Sequence, residues 1–286
     1  MTDTGVQVLV GTTKGAFVLD GNAARDSWSV RGPYCDGWPI NHVVGDPATG
    51  AMYAGGGGEW TGAGVWRSTD NGHTWDVTKL TTGQLDQWAA GDPEFAATIG
   101  WDDTPPPFAD RFGQIWSLGV VGERLYAGTK PAALLVSEDE GRTWTEAKGL
   151  TDHPSAPEWN PGAAGLVLHT IIADPDHPDL MWIGISSAGV FASTDGGVTW
   201  ERRNDLADPA GAPSVDHPAG PSNGQVGHCV HHLERAPGEG QVLYQQNHYG
   251  VWRSDDGGET WHNITDGLPS TFGFPLHVHP RDPQTV

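Results

Sequence analysis

Four stretches, STDNGHTW (68–75), SEDEGRTW (137–144), STDGGVTW (193–200) and SDDGGETW (254–261), fit the pattern S-x-D-x-G-x-T-W without a mismatch. Their aspartates, Asp70, Asp139, Asp195 and Asp256, lie 69, 56 and 61 residues apart by subtraction. A repeat of that period marks solenoids, propellers and arrays. Each box follows a short apolar run (GVWR, ALLV, GVFA, GVWR) and leads into polar or β-branched residues, so it reads as a hairpin turn between two strands. The Asp accepts hydrogen bonds from turn N–H groups, and Gly72, Gly141, Gly197 and Gly258 take the positive φ of a tight turn. The Trp that follows carries a large apolar face into the packing of the next strand. The boxes are therefore a structural device. An EF-hand reading of Asp255, Asp256 and Glu259 fails, because the ligand spacing and the twelfth-position Glu are missing.

These boxes resemble the Asp-box or BNR repeat of sialidase-like β-propellers, which sortilin-type and xyloglucanase-type propellers also carry. The resemblance implies an all-β chain, a β-propeller of four-stranded antiparallel blades forming one domain over 1–286. The blades fall at about 6–31, 40–79, 114–147, 168–203 and 227–265, with a partial one at 274–286. The first blade lacks an inner strand and the last stops early, so the expectation is a propeller that is six-bladed when complete and truncated in its sixth blade. Outside the boxes, HPSAPEWNPGAAGLVLH, VGHCVHHL and LYQQNHYGVWRSDDGG look similar to bacterial proteins labelled glycosyl hydrolase or exo-α-sialidase by their BNR repeats. Sialidases themselves hold substrate with an arginine triad and usually carry an F-R-I-P-like stretch. That stretch is missing here, and Arg67 and Arg253 belong to strands before boxes, leaving Arg31 and Arg111. No sialidase residues carry over, and since propellers serve as enzymes, receptors and assembly factors alike, function has to come from the site.

Composition narrows the classes. A net charge of −21 with only 15 Lys and Arg disfavours a nucleic-acid or anionic-membrane surface. Two cysteines, Cys35 and Cys229, give no disulfide framework, and MTDTGVQVLVG lacks the basic and apolar regions of a signal peptide, so a reduced, cytoplasmic setting is expected. No apolar run is long enough to span a bilayer. P-loop, nucleophile-elbow, C-x-x-C and H-E-x-x-H patterns are missing too.

The links 79–114, 147–168 and 204–227 are long for a compact domain, which marks them as functional. In a meander they share a face with the second-to-third strand turns, opposite the boxes. Counting six residues back from the Pro of each first-to-second turn gives Asn41, His169, His231 and Phe274 at one equivalent position, with Trp116 their counterpart in the third blade. His228 and His248 face the same region. His169, His228, His231 and His248 are thus candidate ligands of one divalent metal ion. Ordinary packed or hydrogen-bonded imidazoles are the other reading of the same pattern. Glu158 beside Trp159 is a candidate general acid or base if the cleft is dry, and an exposed loop carboxylate if it is not. The catalytic set expected is Glu158, His169, His231 and His248. Trp38, Trp60, Trp116 and Trp159 are candidate aromatic platforms, with Asn41, Glu59, Lys130 and Asn247 as polar ligand contacts. The link 79–114 adds Trp88, Asp92, Glu94, Trp101, Asp102 and Asp103, and carboxylates flanking aromatic platforms suit glycoside cleavage. Two functions compete: a carbohydrate-directed hydrolase or metal-assisted lyase on a small-molecule or sugar ligand, and a non-catalytic propeller that grips a protein or peptide.

Overall fold

A computed structural model describes residues 5–211, 224–238 and 240–286. The chain runs through successive up-and-down sheets. β1 (Val6–Thr12), β2 (Gly15–Gly21) and β3 (Trp28–Tyr34) form a three-stranded sheet. β4 (Ile40–Gly45), β5 (Met52–Gly58), β6 (Gly62–Ser68) and β7 (Asp76–Lys79) form the second. The third holds β8 (Gln114–Val121), β9 (Arg124–Lys130), β10 (Leu134–Ser137) and β11 (Thr145–Glu146). The fourth holds β12 (Val167–Ala173), β13 (Met181–Ser186), β14 (Gly189–Ser193) and β15 (Glu201–Arg202). In the fifth, β17 (Val230–Arg235), β18 (Leu243–Asn247), β19 (Gly250–Ser254) and β20 (Thr260–Asn263) are joined by β16 (Asp205–Leu206), which pairs in parallel with β20. The all-β, blade-built expectation matches these sheets. Two compact units are formed, Met1–Pro131 with Leu135–Thr145, and Ala132–Leu134 with Glu146–Val286.

Packing follows from the strand order. The second strand of a blade is a central one, and β5, β13 and β18 are buried almost end to end. In the first unit Tyr53, Val65, Ile115, Leu118 and Trp144 share a core cluster, and in the second Trp182, Leu233, Leu243, Trp252 and Trp261 do. Removing each such side chain from water contributes about 1.5–3 kcal/mol.

The boxes behave as their chemistry requires. In every one the Ser hydroxyl donates to Asp Oδ1, the Thr amide donates to the same oxygen at 2.8–2.9 Å, and the Thr hydroxyl donates to Oδ2 at 2.6–2.7 Å. The box glycines sit at φ 78°, 84°, 85° and 88°. The Trp indole N–H closes on its own box glycine in the first three, whereas Trp261 reaches Arg203 O at 2.9 Å.

Three details depart from the sequence reading. The fifth sheet gains β16 from the link that follows β15. Residues 274–286, expected to begin a blade, form no strand; with no strand laddered beside them they pack on the fifth sheet instead, through Val278 in the cluster of Ala236, Val242 and Tyr244 and through Tyr244 Oη donating to Pro283 O at 2.7 Å. The link 79–114 folds into α1 (Gln84–Gly91) and α2 (Pro93–Ile99), and 147–168 opens with α3 (Lys148–Thr151). Residues 212–223 of the link 204–227 lie outside the described residues. Among the described residues no helix is long and apolar enough to cross a membrane.

Candidate functional site

The equivalent position read from the prolines is a β-bulge. Register shifts skip Asn41 between β4 and β5, Trp116 between β8 and β9, His169 between β12 and β13, and His231 between β17 and β18. A bulge leaves one residue unpaired and re-aims its side chain. Here the re-aimed group fastens a neighbouring segment. Asn41 Nδ2 donates to Ile115 O at 2.8 Å, His169 Nε2 to Val230 O at 3.1 Å, and His231 Nδ1 to Gly273 O at 2.6 Å. The acceptors are the carbonyls just before Trp116, His231 and Phe274, so each contact is the same latch, moved on by one repeat.

That geometry sorts the candidate histidines. His169 is fully engaged: with Nε2–H on Val230 O, its Nδ1 accepts from the Thr170 hydroxyl at 2.8 Å. The ring is partly reached by solvent yet set deep among packed atoms, and burial pushes its pKa down to about 3, helped by nearby His232. Gly184 makes room for it, since a Cβ there would lie 2.9 Å from His169 Cε1. His228 turns to Gln225 Oε1 at 3.2 Å. His231 and His248 do come together, with ring centroids 5.3 Å apart, and the third member of their cluster is Cys229. The cysteine was missed because its count was read only for disulfides. The C-x-H spacing was the available signal, but the contact comes from the bulge, which re-aims His231 to within 3.6 Å of Cys229 Sγ.

Glu158 is 67% exposed and paired with Arg202 at 3.0 Å. It does not share a dry cleft with Trp159, whose indole packs on Phe191 and donates to Ser155 Oγ at 3.0 Å. Asn247 is fully buried, with Nδ2 on Gly227 O and Oδ1 accepting from Tyr249 N, so it shapes a turn.

In the first unit, Trp38 packs edge-on against Trp66 and Lys130 lies over the Trp116 ring at 5.3 Å. Glu59 and Trp60 meet the link 79–114 as the meander predicts: Gln84 N donates to Glu59 O, Leu85 N to Trp60 O, and Gln84 Nε2 to Glu59 Oε1. That link encloses a cleft of 520 Å³ with Trp101, Pro105, Pro106 and Pro107 as apolar walls and Asp86, Asp102, Asp103 and Asp110 as carboxylates. Asp86 is held by Gly83 N at 2.6 Å, Trp101 Nε1 at 3.1 Å and Lys79 Nζ. Thr82 fixes Asp110 at 2.8 Å. The Thr104 amide and hydroxyl keep the Asp102 pKa low. Gln87 borders both this cleft and a shallower one under Trp88 and Phe95, where Trp60 and Trp88, 51% and 54% exposed, stand 5.2 Å apart. Sequence reasoning found Trp101, Asp102 and Asp103 but not Asp86, Lys79 or the prolines, since only the two-helix fold of the link brings them round one space.

The repeat and the fold have counterparts among known proteins. Residues 252–263 match the BNR/Asp-box repeat family. A "Probable oligoxyloglucan-reducing end-specific xyloglucanase" of Neosartorya fischeri is 27% identical over 206 residues, 57% of this chain and 23% of its own length. The "Oligoxyloglucan-reducing end-specific xyloglucanase" of Emericella nidulans is 31% identical over 80 residues, 28% of this chain and 9% of its own. The chain therefore spans less than a quarter of the length of either relative. Among solved structures, a "putative 6-phosphogluconolactonase" from Bacteroides uniformis superposes with a TM-score of 0.55 at 13% identity, covering 96% of this chain and 73% of that one. At that identity the likeness speaks for the fold alone.

Proposed function

We propose that this chain is a carbohydrate-directed, glycosyl hydrolase-like propeller protein that receives a saccharide in the cleft of the link 79–114. The observation that carries the reading is the lining of that cleft. A pyranose ring presents an apolar C–H face and a rim of hydroxyls; an indole and a run of three prolines offer the first a flat partner, while carboxylates and an amide offer the second acceptors and donors. Similarity to the two xyloglucanases supports the same class of ligand. The ridge of exposed Trp60 and Trp88 with half-buried Phe95 begins where Gln87 ends the cleft, and would extend the contact to further sugars of a chain.

Glycoside cleavage needs one carboxylic acid and one carboxylate on opposite sides of the bond. Asp86 is held by three donors and so acts as the fixed acceptor; Asp102 is kept ionised by Thr104, which leaves Asp103 at the rim to meet the leaving oxygen. Calorimetry against neutral oligosaccharides, xyloglucan fragments included, tests the binding, and release of new reducing ends tests the chemistry. Trp88→Ala and Asp103→Ala leave the core untouched, and each is expected to weaken binding about tenfold, the equivalent of 1.4 kcal/mol. Saccharide affinity that neither substitution changes would remove the site from this cleft. Capture of a peptide with no saccharide bound would turn the reading to a binding propeller.

A further inference from the structure

The second unit carries a different grouping, and it stands apart from the saccharide reading. Cys229 Sγ lies 3.6 Å from His231 Nε2, and these atoms and a ring nitrogen of His248 all fall within 4.8 Å of one another. Bonds of about 2.3 Å to sulfur and 2.0–2.1 Å to nitrogen place tetrahedral zinc ligands about 3.4–3.6 Å apart, so the Cys229 to His231 separation already fits and His248 needs only a small adjustment.

The latch settles the chemistry of His231. Gly273 O can only accept, so Nδ1 carries the proton and Nε2 directs its lone pair toward Cys229. A metal-bound imidazole typically has this arrangement, one nitrogen on the ion and the other donating to a backbone carbonyl. At His169 the same latch uses Nε2 and the remaining nitrogen is taken by Thr170, so that bulge has no ligand to give. The rings at the cluster are also held. His231 stacks on Phe274 at 4.6 Å with its edge to Phe272, and His248 packs on Phe272 and Tyr249. His248 N donates to Cys229 O at 3.0 Å, tying the two ligand-bearing segments together. All three residues remain partly open to solvent, so an ion can enter.

We propose that Cys229, His231 and His248 form a three-ligand site for a thiophilic divalent ion of the zinc class, with one coordination position open to a further ligand. One sulfur and two imidazole nitrogens suit zinc and cobalt(II), whereas calcium and magnesium require oxygen. The thiol proton leaves on binding, because the metal ligand is the thiolate.

Cobalt(II) tests this directly, since a cobalt–thiolate bond gives a charge-transfer absorption that imidazole or carboxylate sites lack. The full chain, stripped with a chelator, should take up one equivalent of cobalt(II) with that absorption and release it to zinc. Cys229→Ser should abolish the absorption, and His248→Ala should weaken binding at least tenfold. His228→Ala serves as the control and should change neither. Circular dichroism of each variant confirms folding, and His231→Ala is avoided because it also opens the latch. If His248→Ala fails to fold, zinc protection of Cys229 from alkylation in the unaltered chain replaces it. Cobalt bound without the charge-transfer absorption, equal affinity in Cys229→Ser, or an alkylation rate indifferent to zinc would each overturn the proposal.

Discussion

Replacing His169 tests whether the bulge position is a latch. His169→Ala removes the donor to Val230 O, leaving a carbonyl in the packed interior without its partner and a void the size of an imidazole next to Gly184. An unmet buried carbonyl costs about 1–3 kcal/mol and the lost packing adds to it, so the expected destabilisation is about 2–4 kcal/mol. For a chain of 286 residues that lowers the melting temperature by roughly 3–7 °C. His169→Asn should recover a substantial part, because Asn41 already performs the same contact in the second blade. The pH dependence has a definite sign. Burial lowers the folded pKa to about 3, below the unfolded value of about 6.5, so the unfolded chain binds the extra proton. Stability from this residue is fully present above pH 6.5 and declines as the pH falls toward 3, by up to about 1.4 kcal/mol per unit. His169→Asn should flatten that part of the curve. Urea unfolding at pH 4, 5, 6 and 7.5 measures both effects. An Asn variant no better than Ala, with an unchanged pH slope, would refute the latch.

Two further outcomes follow from ionised groups. Asp256 is raised by burial but lowered more by the Thr260 amide and hydroxyl and by Ser254, so its net pKa lies below normal; Asp256→Asn should cost about 1–2 kcal/mol at neutral pH, and the deficit should shrink as the pH falls below the usual carboxylate range and the wild-type carboxyl takes its proton, read by thermal melts across pH. Arg235→Ala removes the one guanidinium on Asp174, 5% exposed and 2.8 Å away, while the Asp176 and His177 amides still hold the other carboxylate oxygen, so it should cost about 1–3 kcal/mol in urea unfolding; replacing both residues with apolar ones should cost more, because those two amides then lose their acceptor.

How much of this was legible follows from where each feature gets its geometry. The boxes were legible because their contacts span only a few residues, so pattern and structure are the same fact. The bulge position was legible through an internal count, although nothing in a single repeat says that the carbonyl it fastens belongs to the next one. Glu158 and Trp159 adjoin in sequence yet face different partners, Arg202 and Phe191, because a 3-10 turn at Ala156–Glu158 separates their side chains. Cys229 and His248 are joined only by strand pairing across the β17–β18 hairpin, and the cleft walls only by α1 and α2. Those contacts arise from tertiary folding, which local spacing does not encode.

The bulge also explains why chemistry could arise at one blade and not at another. A latch demands a donor of roughly the right reach and nothing else, and Asn41, His169 and His231 all satisfy it. An asparagine spends its amide on the latch. An imidazole has two nitrogens, so one latching through Nδ1 keeps Nε2 for another partner, while one latching through Nε2 keeps Nδ1. Beside Nδ1 of His169 stands Thr170, which consumes it; beside Nε2 of His231 stands Cys229, a potential co-ligand. The position's structural role therefore holds the imidazole in place at no extra cost, and the identity of one neighbouring residue decides whether the second nitrogen closes a hydrogen bond or faces a metal.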